Sequence, residues 1–162
     1  FTNIMRIYGS KAAVVTFAGD LLKTVIAILI GWLTFGYVMA YISGLACFFG
    51  HIFPVFYKFK GGKGFASYLG MTIALHWKFA IAVLLLVVAV TLITDYIVAA
   101  TTTTIVLVPV GLGVLTQSWI LPLILLVASL VIAWKHRENY VRIYNGTEIG
   151  FRKAGRGDYR VK

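Results

Sequence analysis

Residues 50–64 read GHIFPVFYKFKGGKG, and this stretch decides the fold. An uncharged aromatic run passes directly into Lys58, Lys60 and Lys63, which are interleaved with Gly61, Gly62 and Gly64. The sequence therefore predicts an apolar helix that ends in a cationic, glycine-rich loop. Such a loop can gather backbone N–H groups and ammonium groups around one anion. A basic flank snorkelling at a helix end accounts for the lysines. It does not account for three glycines in four residues, because glycine costs order unless the backbone needs it.

The rest of the chain places that loop beside a membrane. Of the 162 residues, 60% are hydrophobic and 12% charged, with a mean hydropathy of +0.92. Val25 to Gly50 and Tyr96 to Trp134 carry no charge, and about 20 apolar residues make one crossing. The reading is all-α: one polytopic membrane helix bundle over residues 1–162, closed by a basic tail at 145–162. Six helices are expected, over 11–33, 36–57, 63–75, 78–94, 96–115 and 118–144. The third is short for a crossing, which calls for a shielded or tilted place inside the bundle. Pro54 is expected to kink the second helix toward the basic loop. The chain opens at Phe1 instead of Met, so a preceding segment is expected.

Charge placement gives the orientation. With six crossings, residues 1–11, 57–63, the vicinity of 95, and 135–162 share one face. Nearly all of the basic residues fall there, while the opposite face holds only Lys78. Basic loops stay inside, so that face and the C-terminus are expected in the cytoplasm. Cys47 lies alone in an apolar run and permits no intrachain disulfide.

Two further clusters carry chemistry. HRENYVRIYNGTE, residues 136–148, follows the last apolar run. On one continuous helix His136, Asn139 and Arg142 fall within an arc of about 120°, a polar face for an oxyanion and a hydroxyl. Glu138 stands four residues before Arg142, which favours an ion pair. Near the start, Asn3 and Arg6 are one helical turn apart, and Asp20 and Lys23 form an intramembrane pair. His51 is expected to orient the Lys-Gly loop. The Thr101–Thr104 run reads as hydroxyls bonded to their own helix carbonyls or packed at helix contacts. Other catalytic patterns are missing: HxxxxD, a GxxxxGK loop, GxSxG, HExxH, and any metal-spaced histidine cluster. A transporter would spread its polar groups through the membrane depth, and a lipid-binding scaffold would have no use for HxxNxxR on one face.

These motifs resemble those of the bacterial acyl-phosphate:glycerol-3-phosphate acyltransferases. GHxFPxFxxFKGGKG fits 50–64, HxxNxxRxxxGTE fits 136–148, and Thr2-Asn3-x-x-Arg6 looks like the end of the family's first motif, whose serine and glycines have no counterpart here. The resemblance implies seven helices with cytoplasmic motifs, one helix preceding Phe1, in a bacterial inner membrane. It implies acyl transfer from acyl phosphate to the 1-hydroxyl of sn-glycerol 3-phosphate, giving lysophosphatidate and phosphate in the first acylation of phospholipid synthesis. His136, Asn139 and Arg6 are the expected catalytic residues. Asn3, Lys60, Gly61, Gly62, Lys63, Gly64 and Arg142 are the expected phosphate and substrate contacts. Glu138, Glu148, Asp20, Lys23 and His51 are the expected supports. Neither cofactor nor metal is expected. The expected partners are glycerol 3-phosphate, long-chain acyl phosphate, membrane lipid and the enzyme that supplies acyl phosphate. No nucleic acid is expected, and the chain is expected to act as a monomer. Attack is expected to be direct, because no Ser/His/Asp or Cys/His set argues for an acyl-enzyme. His136 is expected either to take the hydroxyl proton or to bind and orient.

Overall fold

The computed structural model describes residues 2–156, with side chains from residue 4 onward. Asn3 therefore has a described backbone but no described side chain, and the last six residues of the tail lie outside the described residues. Helices take up the described chain in the order α1 (Thr2–Tyr8), α2 (Ser10–Phe35), α3 (Tyr37–Ile52), α4 (Phe65–Leu75), α5 (Trp77–Thr94), α6 (Ile97–Thr116), α7 (Ile120–Lys135), α8 (Arg137–Tyr144) and α9 (Phe151–Arg156), with a 3-10 turn at Val55–Tyr57.

The six expected segments thus become nine α-helices among the described residues, and each difference has a local cause. Gly9, at φ 85°, separates α1 from α2. Pro54 does more than kink its helix. It lacks an N–H and disfavours helical backbone in the residue before it, and α3 stops at Ile52. The last long segment breaks at His136, where α7 and α8 meet at 50°. The tail folds back as α9 from Phe151. Pro109 leaves α6 unbroken.

Four segments, at Ser10–Phe35, Tyr37–Tyr57, Trp77–Thr94 and Ile97–Thr116, are long and apolar enough to cross a membrane. The bent α7–α8 pair makes a fifth. The core runs down their shared axis through Phe48, Ile52, Tyr68, Met71, Leu112, Leu125 and Ile132, all essentially inaccessible. The outward faces of α2, α5 and α7 carry exposed leucine, isoleucine and valine, as a lipid-facing surface requires.

Helix α4 is the exception that shapes the site. Its 11 residues rise about 16 Å at 1.5 Å each, roughly half of a bilayer's apolar thickness. Every residue from Ala66 to Thr72 is buried, so the bundle, not lipid, surrounds it. It packs against α2, α3 and α5. A Cβ on Gly70 would stand 2.6 Å from the Leu21 carbonyl oxygen, so a hydrogen there lets the two backbones touch. The expectation of a shielded short helix is met. Its N-terminus opens at the end of the bundle where the glycine-rich loop arrives.

Candidate functional site

At that end lies a cavity of about 1150 Å³. Arg6, Asp20, His51, Gly61, Gly62, Lys63, Gly64, His136, Asn139, Arg142 and Glu148 all line it, drawn from α1, α2, α3, the loop, α8 and the turn after it. The shared basic face predicted from charge placement is thus one physical location. The 95 turn belongs to the same end, because Asp95 Oδ1 accepts the Arg152 amide at 2.9 Å. Phe17, Phe65, Ile97 and Val98 supply an apolar wall. Lys60, expected among the phosphate contacts, is exposed and does not line the cavity.

The loop is built differently from the sequence expectation. The Gly61 amide donates to Ile52 O at 3.2 Å and the Gly62 amide to His51 O at 3.1 Å. Both N–H groups are thereby spent on the last carbonyls of α3, which have no partner within their own helix. These two glycines allow close packing, and their amides are already bonded to protein carbonyls. A Cβ on Gly61 would lie 2.8 Å from Ile52 O, and one on Gly62 would lie 2.6 Å from His51 Cε1 and closer still to Nε2. The amides left for a ligand belong to the start of α4. Gly64, at φ 89°, leads into the helix with no side-chain cap, so the first-turn N–H groups have no intrahelical acceptor.

Three cations, Lys63, Arg142 and Arg6, line the cavity together with that helix start. Lys63 Nζ donates to Asn139 Oδ1. Asn139 Nδ2 donates to Glu148 Oε1 at 2.6 Å, and Arg142 Nε donates to Glu148 Oε2 at 2.6 Å. One carboxylate therefore fixes the amide and the guanidinium, and the amide fixes the lysine. The sequence pairing of Glu138 with Arg142 exists only at 3.8 Å from a mostly exposed carboxylate. Glu148 is the real anchor, and its spacing from Arg142 hid this because a turn at Gly146, φ 66°, brings it back. Partial burial holds the Lys63 ammonium below the ordinary lysine value, and Arg142 adds to that shift while Glu148 and Glu138 oppose it. Arg6 has no carboxylate partner among the described residues.

His136 is 6% exposed and sits at the α7–α8 break. The bend falls before α8, whose N-cap is His136 with its carbonyl accepting the Tyr140 amide at 3.1 Å. His136, Asn139 and Arg142 therefore still follow one another at one-turn spacing along α8, and all three line the cavity. His136 Nδ1 lies 2.8 Å from Ile132 O. A carbonyl only accepts, so Nδ1 carries the hydrogen and Nε2 of the neutral ring is an acceptor.

Behind the loop stands the α2 pair. Lys23 Nζ is 2.5 Å from Asp20 Oδ1 and 2.9 Å from His51 Nδ1, and His51 Nδ1 is 3.3 Å from Asp20 Oδ1. The sequence gave Asp20 and Lys23 as an intrahelical pair and His51 as a loop support, without joining them across 28 positions. Sequence reasoning also passed over Thr16, Tyr57 and Thr147, which line the cavity. Thr101 lines it too, but its hydroxyl donates to Ile97 O at 3.0 Å, as its three neighbours do to carbonyls one turn back. No group of three metal-binding side chains occurs among the described residues.

Residues 1–146 match the family model described as glycerol-3-phosphate acyltransferase. A glycerol-3-phosphate acyltransferase of Halorhodospira halophila is 36% identical over 155 residues, covering 95% of this chain and 79% of the relative. One of Thermoanaerobacter sp. is 41% identical over 150 residues, covering 91% and 74%. The crystal structure of PlsY (YgiH), an integral membrane glycerol 3-phosphate acyltransferase, in its glycerol 3-phosphate form superposes with a TM-score of 0.87 at 34% identity, over 93% of this chain and 76% of that one. Its lysophosphatidic acid form gives 0.85 at 32% identity, over 94% and 80%.

Proposed function

The chain belongs to the glycerol-3-phosphate acyltransferase family of multi-pass membrane proteins, and on that premise we propose that it transfers a fatty acyl group from acyl phosphate to the 1-hydroxyl of sn-glycerol 3-phosphate. One observation carries the reading: the uncapped start of α4 opens into a cavity that Lys63, Arg6 and Arg142 also line and that has an apolar wall. Both substrates carry a phosphate, and one of them carries a long alkyl chain.

The N-terminal amides of α4, Lys63 and the guanidinium of Arg6 hold phosphate. Arg142 presents its remaining N–H groups to the same oxygens while Glu148 holds its Nε. The acyl chain lies along Phe17, Phe65, Ile97 and Val98. His136 Nε2 accepts the hydrogen bond of the 1-hydroxyl and aims its oxygen. That oxygen bonds to the acyl carbon, and the bond from the acyl carbon to the phosphate oxygen breaks. The departing phosphate would leave as a trianion, so it takes the hydroxyl proton, and lysophosphatidate and hydrogen phosphate remain. No acyl-enzyme is needed, because an acyl phosphate is already a mixed anhydride. The catalytic contribution is charge stabilisation in a prepared site.

We place the basic end in the cytoplasm of a bacterial inner membrane, where the positive-inside rule puts it. A cysteine at Thr116 should then react with an impermeant reagent from outside the cell, and one at Gly155 only from within. The test of function is purified protein given acyl phosphate and labelled glycerol 3-phosphate, with acyl-coenzyme A and acyl-carrier-protein thioesters in parallel. Lysophosphatidate from acyl phosphate alone is expected. Turnover with a thioester and none with acyl phosphate refutes the donor assignment.

A further inference from the structure

Two histidines line the cavity, and their partners give their outward nitrogens opposite hydrogen-bonding roles. His136 has Nδ1–H on a carbonyl, which leaves Nε2 a lone pair. His51 has Nδ1 against Lys23 Nζ at 2.9 Å, with Asp20 Oδ1 at 3.3 Å. An ammonium offers only hydrogens, so in the neutral ring Nδ1 accepts from Lys23 and the proton sits on Nε2. The other neutral tautomer sets an N–H against the Lys23 ammonium and gives up that hydrogen bond. With the Lys23 hydrogen bond in place, therefore, Nε2 is a donor.

That donor has no protein acceptor among the described residues. The His51 side chain is only 15% exposed, and what it does expose lies at the cavity it lines. Nε2 stands beside Gly62, whose missing Cβ leaves room for the ring. Gly62 precedes Lys63 in the cavity wall.

We infer that His51 is a substrate-binding residue of this site, donating from Nε2 to an anionic phosphate oxygen held between the Gly61–Gly64 loop and the start of α4. Lys23 and Asp20 are then positioning residues that fix which ring nitrogen faces the substrate. The inference rests on the acyl-transfer reading for its ligand class, and phosphate of either substrate fits the chemistry.

The experiment compares His51→Asn with His51→Gln. The Gln amide nitrogen reaches about as far as Nε2, and the Asn amide stops near Nδ1. His51→Asn should raise KM for the substrate whose phosphate is bound by about 10- to 100-fold, the effect of losing a hydrogen bond to a charged group, with kcat changed far less. His51→Gln should recover most of the loss. Whether KM for glycerol 3-phosphate or for acyl phosphate moves identifies the source. Calorimetric binding of glycerol 3-phosphate and of inorganic phosphate reads the same contrast without turnover, so a failed donor assignment does not obscure it. Lys23→Met keeps His51 in place but lets Nδ1–H turn to Asp20, and it should weaken binding of the same ligand. Equal binding by all three variants and the parent, or equal losses in the Asn and Gln variants, overturns the inference.

Discussion

Gly62→Ala tests whether the loop glycines serve the ligand directly or through the histidine behind them. The added Cβ would lie 2.6 Å from His51 Cε1 and nearer still to Nε2. Asp20 and Lys23 hold the ring from the other side, so it cannot swing away freely. Overpacking of this kind costs about 1–3 kcal/mol, roughly 5- to 150-fold if it falls on substrate binding. KM for the substrate whose phosphate His51 contacts should rise within that range. Removing the ring removes the clash, so Gly62→Ala should add little to a His51→Ala background. The cycle of both single variants and the double one should show a coupling of about 0.5–3 kcal/mol. Steady-state kinetics with both substrates, and thermal melts in detergent, provide the readouts. Additive losses would refute the reasoning, because they would mean that the Cβ obstructs the ligand and not the imidazole. Gly61→Ala is the comparison, since its Cβ meets the Ile52 carbonyl, which is backbone and cannot move aside. That variant should lose folding stability ahead of affinity.

Lys63, held below the ordinary lysine value of 10.5, should lose its charge, and phosphate binding with it, as pH rises through the lowered value. KM for glycerol 3-phosphate should climb at a pH where an exposed lysine is still protonated, and Lys63→Arg should remove that limb because guanidinium stays charged; a limb unchanged by arginine assigns it elsewhere. Arg142→Gln leaves the Glu148 carboxylate, 10% exposed, without its cation and should cost about 1–2 kcal/mol, allowing for the partial exposure of Arg142. Adding Glu148→Gln should restore the melting temperature but not KM, and a single variant as stable as the parent sinks the anchor role. Asp95 accepts the Arg152 amide and its carbonyl accepts the Phe151 amide at 2.6 Å, so Asp95→Ala should loosen α9 by about 1 kcal/mol. Tryptic cleavage after Arg152 should then speed roughly fivefold, and an unchanged digestion pattern refutes the latch.

The membrane helices were legible because hydropathy and charge act over whole segments, and the position of α4 was legible because its length is incompatible with lipid on all sides. The breaks were less so. Pro54 signalled trouble, but ending α3 at Ile52 depended on the Gly61 and Gly62 amides arriving to satisfy its carbonyls. Nothing local marks His136 as a break, since His, Arg and Glu all tolerate helix. The motif residues were found by type and spacing, yet their pairing was not. Glu138 obeys the helix rule and is nearly idle, while Glu148 breaks it and binds two partners. Lys23 and His51 meet only because α2 and α3 pack side by side. Lys60 shows the limit of reading a lysine-glycine run by composition: three lysines looked equivalent, and the 3-10 turn leaves one of them, Lys63, in the cavity wall.

The same pairing decides which charges at the cavity are left over for a phosphate. Lys23 offsets Asp20 and Glu148 offsets Arg142, so the unbalanced cations at the cavity are Lys63 and Arg6. Two positive charges suit one phosphate dianion, and they line the same cavity as Gly64, Phe65 and Ala66 at the start of α4. A second phosphate brought to the same place would meet a neutralised site. On the proposed acyl-transfer reading, acyl phosphate would then be held chiefly by its chain, along Phe17, Phe65, Ile97 and Val98, with its phosphate free to leave once the bond to the acyl carbon breaks. On that reading the cationic end of the cavity would supply affinity for one substrate through charge, and the apolar wall affinity for the other through hydrophobic burial.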